Sequence, residues 1–416
     1  MLEKPTIARF LLAAVTLVMG TPALTDDAAA PLDEDEAVRR ALARPGLDDE
    51  LRALVDLARA DEVAARRWPN PEASWSHEQI RAAGATERQD IAVLSQRFDL
   101  SGRRGLRGDA AARRVEAAGA DAAFLRLDVE AEARGAFADA LAAERRVASL
   151  RAAVERLEGV AAAVARRAAS GDVAGYDRRR VDRERATVLA RLDIEEGALA
   201  RARTRLAALI GAGDPTAPLA LRGDLTAAAP SPLATFAERL PSRPDLRALD
   251  LEARSGELQA RAAGRWFIPD VELGGGLKTV DVGSRRDTGF AAAVTVPIPL
   301  FSRDQDERLR GEARARAARG RLSLALGSAR ADVAGLHAEA TRLAAAAARY
   351  HESATADGPA LLRSAEAAYR GGEVGVLELI DGYRAALDAD LLLLELEWAA
   401  RRARIDLDRT SGGISR

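Results

Sequence analysis

Cysteine is absent, methionine occurs twice, histidine three times, and aromatic residues make up 4% of the 416 positions. Without cysteine there is no disulfide framework and no thiolate metal site. Both methionines, Met1 and Met19, fall within residues 1–23, so the rest of the chain offers no soft sulfur ligand for copper or silver. His77 lies in a predicted strand, and His337 and His351 are fourteen residues apart on one predicted helix, which is not the i, i+4 spacing of a metal pair. No nucleophile–base pairing is readable, and Gly274-Gly275-Gly276 falls inside a strand rather than a phosphate loop. Catalysis, a cofactor and a metal site are therefore not expected. The net charge is −2 and no basic stripe is interleaved with aromatics, which argues against nucleic acid. Long apolar runs are missing too. Phe10–Met19, behind Lys4 and Arg9 and ahead of Thr21-Pro22-Ala23, reads as a secretory signal over residues 1–23, too short for a spanning helix of about 20 residues. Any bilayer crossing must then be made by strands.

Trp266–Arg303 carries the pattern such strands need. Val271, Leu273, Gly275 and Leu277 alternate with Glu272, Gly274, Gly276 and Lys278. In Thr288–Leu300 the even positions Phe290, Ala292, Val294, Val296, Ile298 and Leu300 are apolar. Period-two alternation puts one face in an apolar medium and the other in a polar one. Each strand has the roughly 9–11 residues that a tilted strand needs to cross a bilayer. Gly283–Asp287 is expected as the turn. An earlier hairpin, residues 72–100, is less regular. Ala73 and Trp75 alternate with Glu72, Ser74 and Ser76, a loop is expected over Ala82–Arg88, and Ile91 and Val93 fall on the supposed polar face.

The remainder is Ala-, Arg-, Glu- and Leu-rich and strongly helical. A helix is expected from Asp33, broken at Pro45-Gly46 and resumed from Asp48 to Arg67, where Trp68-Pro69-Asn70-Pro71 stops it. Gly105–Ala169 predicts a rod on the order of 100 Å long. Ser170-Gly171-Asp172-Val173 punctuates it, and a second helix runs to Leu206–Gly211. Asp214–Pro232 reads as a connector, and Ser242–Asp245 as a helix N-cap region. A second rod is expected over Asp304–Tyr369, followed by a last helix to Arg409, whose Leu391–Leu394 run reads as a buried seam.

The order recurs. Leu51-Arg52-Ala53-Leu54 returns as Leu246-Arg247-Ala248-Leu249, Trp68-Pro69-Asn70-Pro71 is answered by Trp266-Phe267-Ile268-Pro269, and Gly171-Asp172-Val173 by Gly372-Glu373-Val374. With Pro299-Leu300-Phe301-Ser302-Arg303 answering Asp99-Leu100-Ser101-Gly102-Arg103, four such matches about 200 residues apart indicate an internal duplication: 24–213 as the first repeat, 214–241 as a linker and 242–416 as the second. Four strands cannot close, and open edges cannot sit in lipid. A homo-oligomer is therefore required, with eight strands in a dimer or twelve in a trimer. Seven of the fifteen aromatics outside residues 1–23 fall in or beside the hairpins, as an interfacial girdle would place them.

The chain resembles the TolC family of outer-membrane efflux proteins, nearest its cation-efflux branch. The resemblance rests on Trp68-Pro69-Asn70-Pro71, Arg243-Pro244-Asp245-Leu246-Arg247-Ala248-Leu249, Val296-Pro297-Ile298-Pro299-Leu300-Phe301, Leu206–Gly211 and Tyr369…Gly372…Val374. It implies a mainly α fold with a transmembrane β part: a homotrimer with a β-barrel in the outer membrane of a Gram-negative bacterium and a helical tunnel in the periplasm. It implies docking of a periplasmic membrane-fusion adaptor and an inner-membrane RND transporter at the tips Gly171, Asp172, Val173 and Gly372, Glu373, Val374. By position, Glu378 and Asp381 match the family's acidic pair at the tunnel mouth, Tyr369 its tip tyrosine and Asp177 the acid after the first tip. The family's tip arginine is not matched, Val374 standing there, so Arg178, Arg179 or Arg370 would have to substitute. The lipidated cysteine of many relatives has no counterpart, so no lipid anchor is expected. The function expected is a passive conduit for metal cations or small toxic compounds. The alternatives are a poreless coiled-coil adaptor and the outer conduit of a type I secretion system.

Overall fold

The computed structural model describes residues 31–82, 84–169 and 175–413. The proposed signal and the first tip, Gly171, Asp172 and Val173, lie outside the described residues. Helix α1 (Glu34–Leu42) is capped by Asp33, whose Oδ1 accepts the amide of Glu36 at 2.7 Å. Helix α2 (Pro45–Arg66) begins at Pro45 itself. The expected break at Pro45-Gly46 is thus displaced to Ala43-Arg44, because proline lacks only an N–H that the first turn would leave unpaired.

Strands β1 (Glu72–Ala82), β2 (Ala85–Phe98), β3 (Val271–Val282) and β4 (Arg285–Thr295) form one antiparallel sheet in that order, with β2 paired to β3. Both turns are shorter than expected. Ala82 pairs with Ala85 and Val282 with Arg285, with Gly84 at φ +86° and Gly283 at φ +63° making the reversals. The expected loops Ala82–Arg88 and Gly283–Asp287 were too long because polar strand residues beyond the apolar band show no alternation. At the other end the strands stop at Phe98 and Thr295 rather than Leu100 and Leu300. Pro297 and Pro299 withhold donors, and Asp99 turns to cap the next helix, accepting the amide of Arg104 at 2.7 Å.

Cross-strand partners share a face. One face stacks Phe98–Val271, then Gln96–Leu273–Val294, Ala73–Leu94–Gly275–Ala292 and Trp75–Ala92–Leu277–Phe290, before reaching His77–Asp90–Thr279–Thr288. Apart from Gln96 the first four rows are apolar, and Trp75, Leu94, Leu277, Phe290 and Val294 are exposed. The opposite face carries Glu72–Ser95–Gly274–Ala293, Ser74–Val93–Gly276–Ala291 and Ser76–Ile91–Lys278–Gly289. Val93, out of place by polarity, fits by shape. A Cβ on Gly274 would lie 3.0 Å from its Cγ1, and one on Gly276 only 2.0 Å from the Ala92 carbonyl oxygen.

Below the sheet run α3 (Arg103–Ala169) and α4 (Gly175–Leu209), then α7 (Gln305–Gly371) and α8 (Val376–Thr410). The two long rods have 67 residues each and their return helices 35 each. Between them lie α5 (Leu233–Arg239), a single 3-10 turn over Leu240–Ser242, and α6 (Pro244–Ala263). Helix α5 falls inside the span read as linker, and its Phe236 is buried against α7 and α8. Ser242 does not cap α6. Its hydroxyl donates to the Arg239 carbonyl, and Arg243 stands at the N-cap with its guanidinium on Asp245 and on the Thr410 carbonyl.

Side-by-side packing is close where side chains are small. A Cβ on Gly256 of α6 would lie 2.7 Å from the Ala315 nitrogen of α7, and one on Gly311 2.6 Å from the Ala260 nitrogen. Helix α6 packs on both α3 and α7, and α8 on both α7 and α3, whereas among the described residues α2 packs chiefly on α3 and α4 touches α8 only slightly besides α3. The Leu391–Leu394 run is only partly covered: Leu391 and Leu394 join core clusters, while Leu392 is exposed. Among the described residues no helix is long and apolar enough to cross a membrane.

Candidate functional site at the helical tips

The α7–α8 reversal is built by Gly372 in the left-handed region, φ +76°. Its amide donates to the Tyr369 carbonyl at 3.2 Å, and that of Glu373 to Ala368 at 2.9 Å, satisfying carbonyls the helix end would leave free. Val374 turns inward against the core that joins the two hairpins. Glu378 sits in the first turn of α8 and folds back over its N-terminus, where a Cβ on Gly375 would come within 3.0 Å of Oε2. That end carries the positive pole of the helix dipole. Asp381, one turn on, is exposed, and Arg384 Nη1 lies 3.7 Å from its Oδ1.

Arg384 is the residue that sequence reasoning missed. Its guanidinium spans from α8 to Glu184 on α4, with Nε donating to Oε1 at 3.1 Å and Nη2 to Oε2. Arg191 and Asp388 make a second, looser pair between the same helices at 3.6 Å. Of the arginines expected to substitute at the gate, Arg178 approaches Asp182 on its own helix, and Arg370 turns to Glu366 one turn before it. Arg179 lines an open cleft of about 640 Å³ with Tyr176, Arg180, Arg183, Glu184 and Arg384. The i, i+3 spacing of Asp381 and Arg384 was a readable signal; the partner Glu184, 200 residues away, was not.

Tyr369 is buried in the shared core, with the Arg167 guanidinium 5.2 Å from its ring centre. A second tyrosine, also missed, carries the polar contact there. Tyr383 donates its hydroxyl to Glu366 Oε1 at 3.0 Å, and burial, reinforced by the Glu366 carboxylate, pushes the phenol up to about 12. Asp177, half-buried, opens α4 in the position that Glu378 holds in α8. The structure thus gathers Glu378, Asp381, Gly372, Glu373, Val374 and Tyr369 at one hairpin end. It links them to α4 through Arg384.

The three histidines are apart, on Asp90, on the Ser231 carbonyl and beside Glu397. Among the described residues no cluster of three or more His, Cys, Asp or Glu could hold a metal ion.

Residues 237–413 match the model of a family described as Outer membrane efflux protein. The nickel-cobalt-cadmium resistance protein NccC of Alcaligenes xylosoxydans xylosoxydans is 30% identical over 280 residues, an alignment covering 65% of this chain and 61% of NccC. The chain therefore spans about three fifths of the length of that relative. A membrane protein of Pseudomonas aeruginosa superposes with a TM-score of 0.74 at 23% identity, over 91% of this chain and 90% of the other. CusC, known from structures that follow transmembrane channel formation, superposes with 0.75 at 19% identity, over 92% of each. The fold is that of TolC-like channels.

Proposed function

We infer, from the premise that residues 237–413 belong to the outer membrane efflux protein family, that the whole chain is one protomer of a cyclic outer-membrane conduit. One observation carries this reading: the molecule is unfinished along the same edge in each of its layers. Strands β1 and β4 each have a free edge. The α8–α3 and α6–α3 contacts of the second half have no comparable α4–α7 or α2–α7 counterpart among the described residues. A neighbouring copy placed head to tail supplies all three, pairing β4 with β1, α7 with α4 and α7 with α2. Such heterologous contacts make a ring when the rotation from copy to copy closes. Three copies make twelve strands, wide enough to leave a lumen that eight would fill with side chains.

The apolar face of the sheet then meets outer-membrane lipid, the mixed polar face lines the lumen, and the helices line a tunnel in the periplasm. At the tips the conduit meets a periplasmic adaptor and an inner-membrane RND transporter through Gly171–Val173 and Gly372–Val374. Glu378 and Asp381 form the acidic mouth, with Asp177 and Tyr369 beside it. Divalent metal cations are the favoured cargo, in line with the relative named for nickel, cobalt and cadmium resistance. The cargo is passed on rather than selected here.

Replacing Glu378 and Asp381 together with Ala is expected to raise single-channel conductance in a planar bilayer severalfold. Parent protein that forms no channel would overturn the conduit. A variant trace that matches the parent would overturn the gate alone.

A further inference from the structure

The two places where strand gives way to helix carry matching pairs of residues. Arg104, in the first turn of α3, lays its guanidinium 3.3 Å from the ring centre of Trp68, which itself meets Phe98 edge-on at the foot of the apolar face. Arg303, just ahead of α7, lies 5.2 Å from the ring centre of Trp266. Around them Leu100, Phe267, Ile298, Leu300 and Phe301 are exposed, Phe301 at 91%.

The carboxylates at this level are engaged elsewhere. Arg103 Nη1 donates to Asp304 at 2.6 Å and Nη2 to Asp270 at 3.1 Å, and Asp99 caps α3. Among the described residues neither Arg104 nor Arg303 has a carboxylate within 4.0 Å. Arg104 Nη1 makes a long contact of 3.5 Å to the Arg66 carbonyl, so each half holds a cation on a tryptophan face, its fork unclaimed by acid, where the apolar wall ends. A planar guanidinium in that position matches a phosphate. Tryptophan and arginine are the side chains that settle at the lipid headgroup level.

We propose that Arg104 with Trp68, and Arg303 with Trp266, are two binding points per chain for the phosphates of anionic phospholipid headgroups in the leaflet facing the helical part. The proposal rests on the membrane reading above. Its occupant is identified by two features: the site continues the apolar wall, and it offers guanidinium groups that have no carboxylate within 4.0 Å at the wall's rim.

The test uses the full chain reconstituted in phosphatidylcholine vesicles, with Trp75 and Trp398 replaced by Phe so that Trp68 and Trp266 report. Quenching by brominated phosphatidylglycerol is compared with quenching by brominated phosphatidylcholine. The expected preference for the anionic lipid is about fivefold for each arginine. It should vanish in the double variant Arg104→Gln, Arg303→Gln and survive in Arg104→Lys, Arg303→Lys. An equal preference in the Gln variant overturns the site. Loss of the preference in inorganic phosphate, but not in chloride of equal ionic strength, assigns the arginines to free phosphate and also overturns it. Absence of quenching by either lipid in the parent overturns the membrane reading itself.

Discussion

In α4, residues 175–191 carry six arginines and three carboxylates; in α8, residues 376–392 carry four carboxylates and one arginine. The two stretches occupy the same place in helices of equal length, so the backbone has been kept while the charge has been reversed. Arg180 stands where the second half has Asp381. Arg183 and Arg384 correspond, yet only Arg384 finds a carboxylate across the groove. In the ring proposed above, basic and acidic tips would alternate and attract their neighbours on both sides, an exposed attraction that salt would weaken.

The same contrast holds higher up. Counting from the matching tetrapeptides and rods, Gly256 and Gly311 correspond to Asp61 and Asp109. The second half brings α6 and α7 into backbone contact at the glycines. The first half instead bridges α2 and α3 with the exposed pairs Asp61–Arg114 and Asp109–Arg66. Gly256→Val is therefore expected to have the largest effect, a loss of about 3 kcal/mol from overpacking against the Ala315 backbone. Asp61→Ala should cost less than about 1 kcal/mol. Thermal unfolding of the detergent-solubilised oligomer compares them; equal shifts would break the distinction between the halves.

Next in size is Tyr383, whose counterpart in α4 is the exposed Asp182. Tyr383→Phe should cost about 1.5–2 kcal/mol, the lower part of the range for a hydrogen bond to a charged acceptor. The phenol is raised in the folded state, so its contribution is fully present below pH 10 and lost as pH climbs toward about 12. Alkaline unfolding should accordingly separate parent from variant below pH 10 and bring the two together near pH 12.

The smallest effect concerns Glu397 of α8 and its counterpart Glu196 of α4. Glu196 is half-exposed and accepts from Arg151 Nη2 at 2.6 Å. Glu397 is buried, and its carboxyl is pushed upward chiefly by that burial, Arg145 opposing and Asp224 adding to the shift. A carboxyl raised in the folded state binds its proton more tightly there, so its ionisation removes stability as pH rises through the raised value. Glu397→Gln should raise the melting temperature at neutral pH and leave it unchanged near pH 4. Glu196→Gln should not raise it at either pH.

Much of this was legible in the chain. The period-two runs announced β3 to the residue, because a strand between lipid and water needs opposite faces. The first rod was equally plain, since Gly105–Ala169 has no proline, is rich in alanine and so has few alternatives to helix. What escaped follows from the same physics. The tops of β2 and β4, Ala85–Arg88 and Arg285–Asp287, looked like loop because both faces there are wet. Helix α5 has only seven residues, too few for a period. Glu184 and Arg384 sit 200 residues apart on separate helices, and no spacing rule reaches across that gap.

The type of the long elements and the facing of the strands came from sequence alone, because each is dictated by residues within a few positions of one another, and the doubling came from short stretches that recur. The union of β2 with β3, the glycine contact of α6 with α7, and the free edges of β1, β4, α2 and α4 depended on which distant surfaces fit. Shape and charge could be compared across those distances only after the chain had folded.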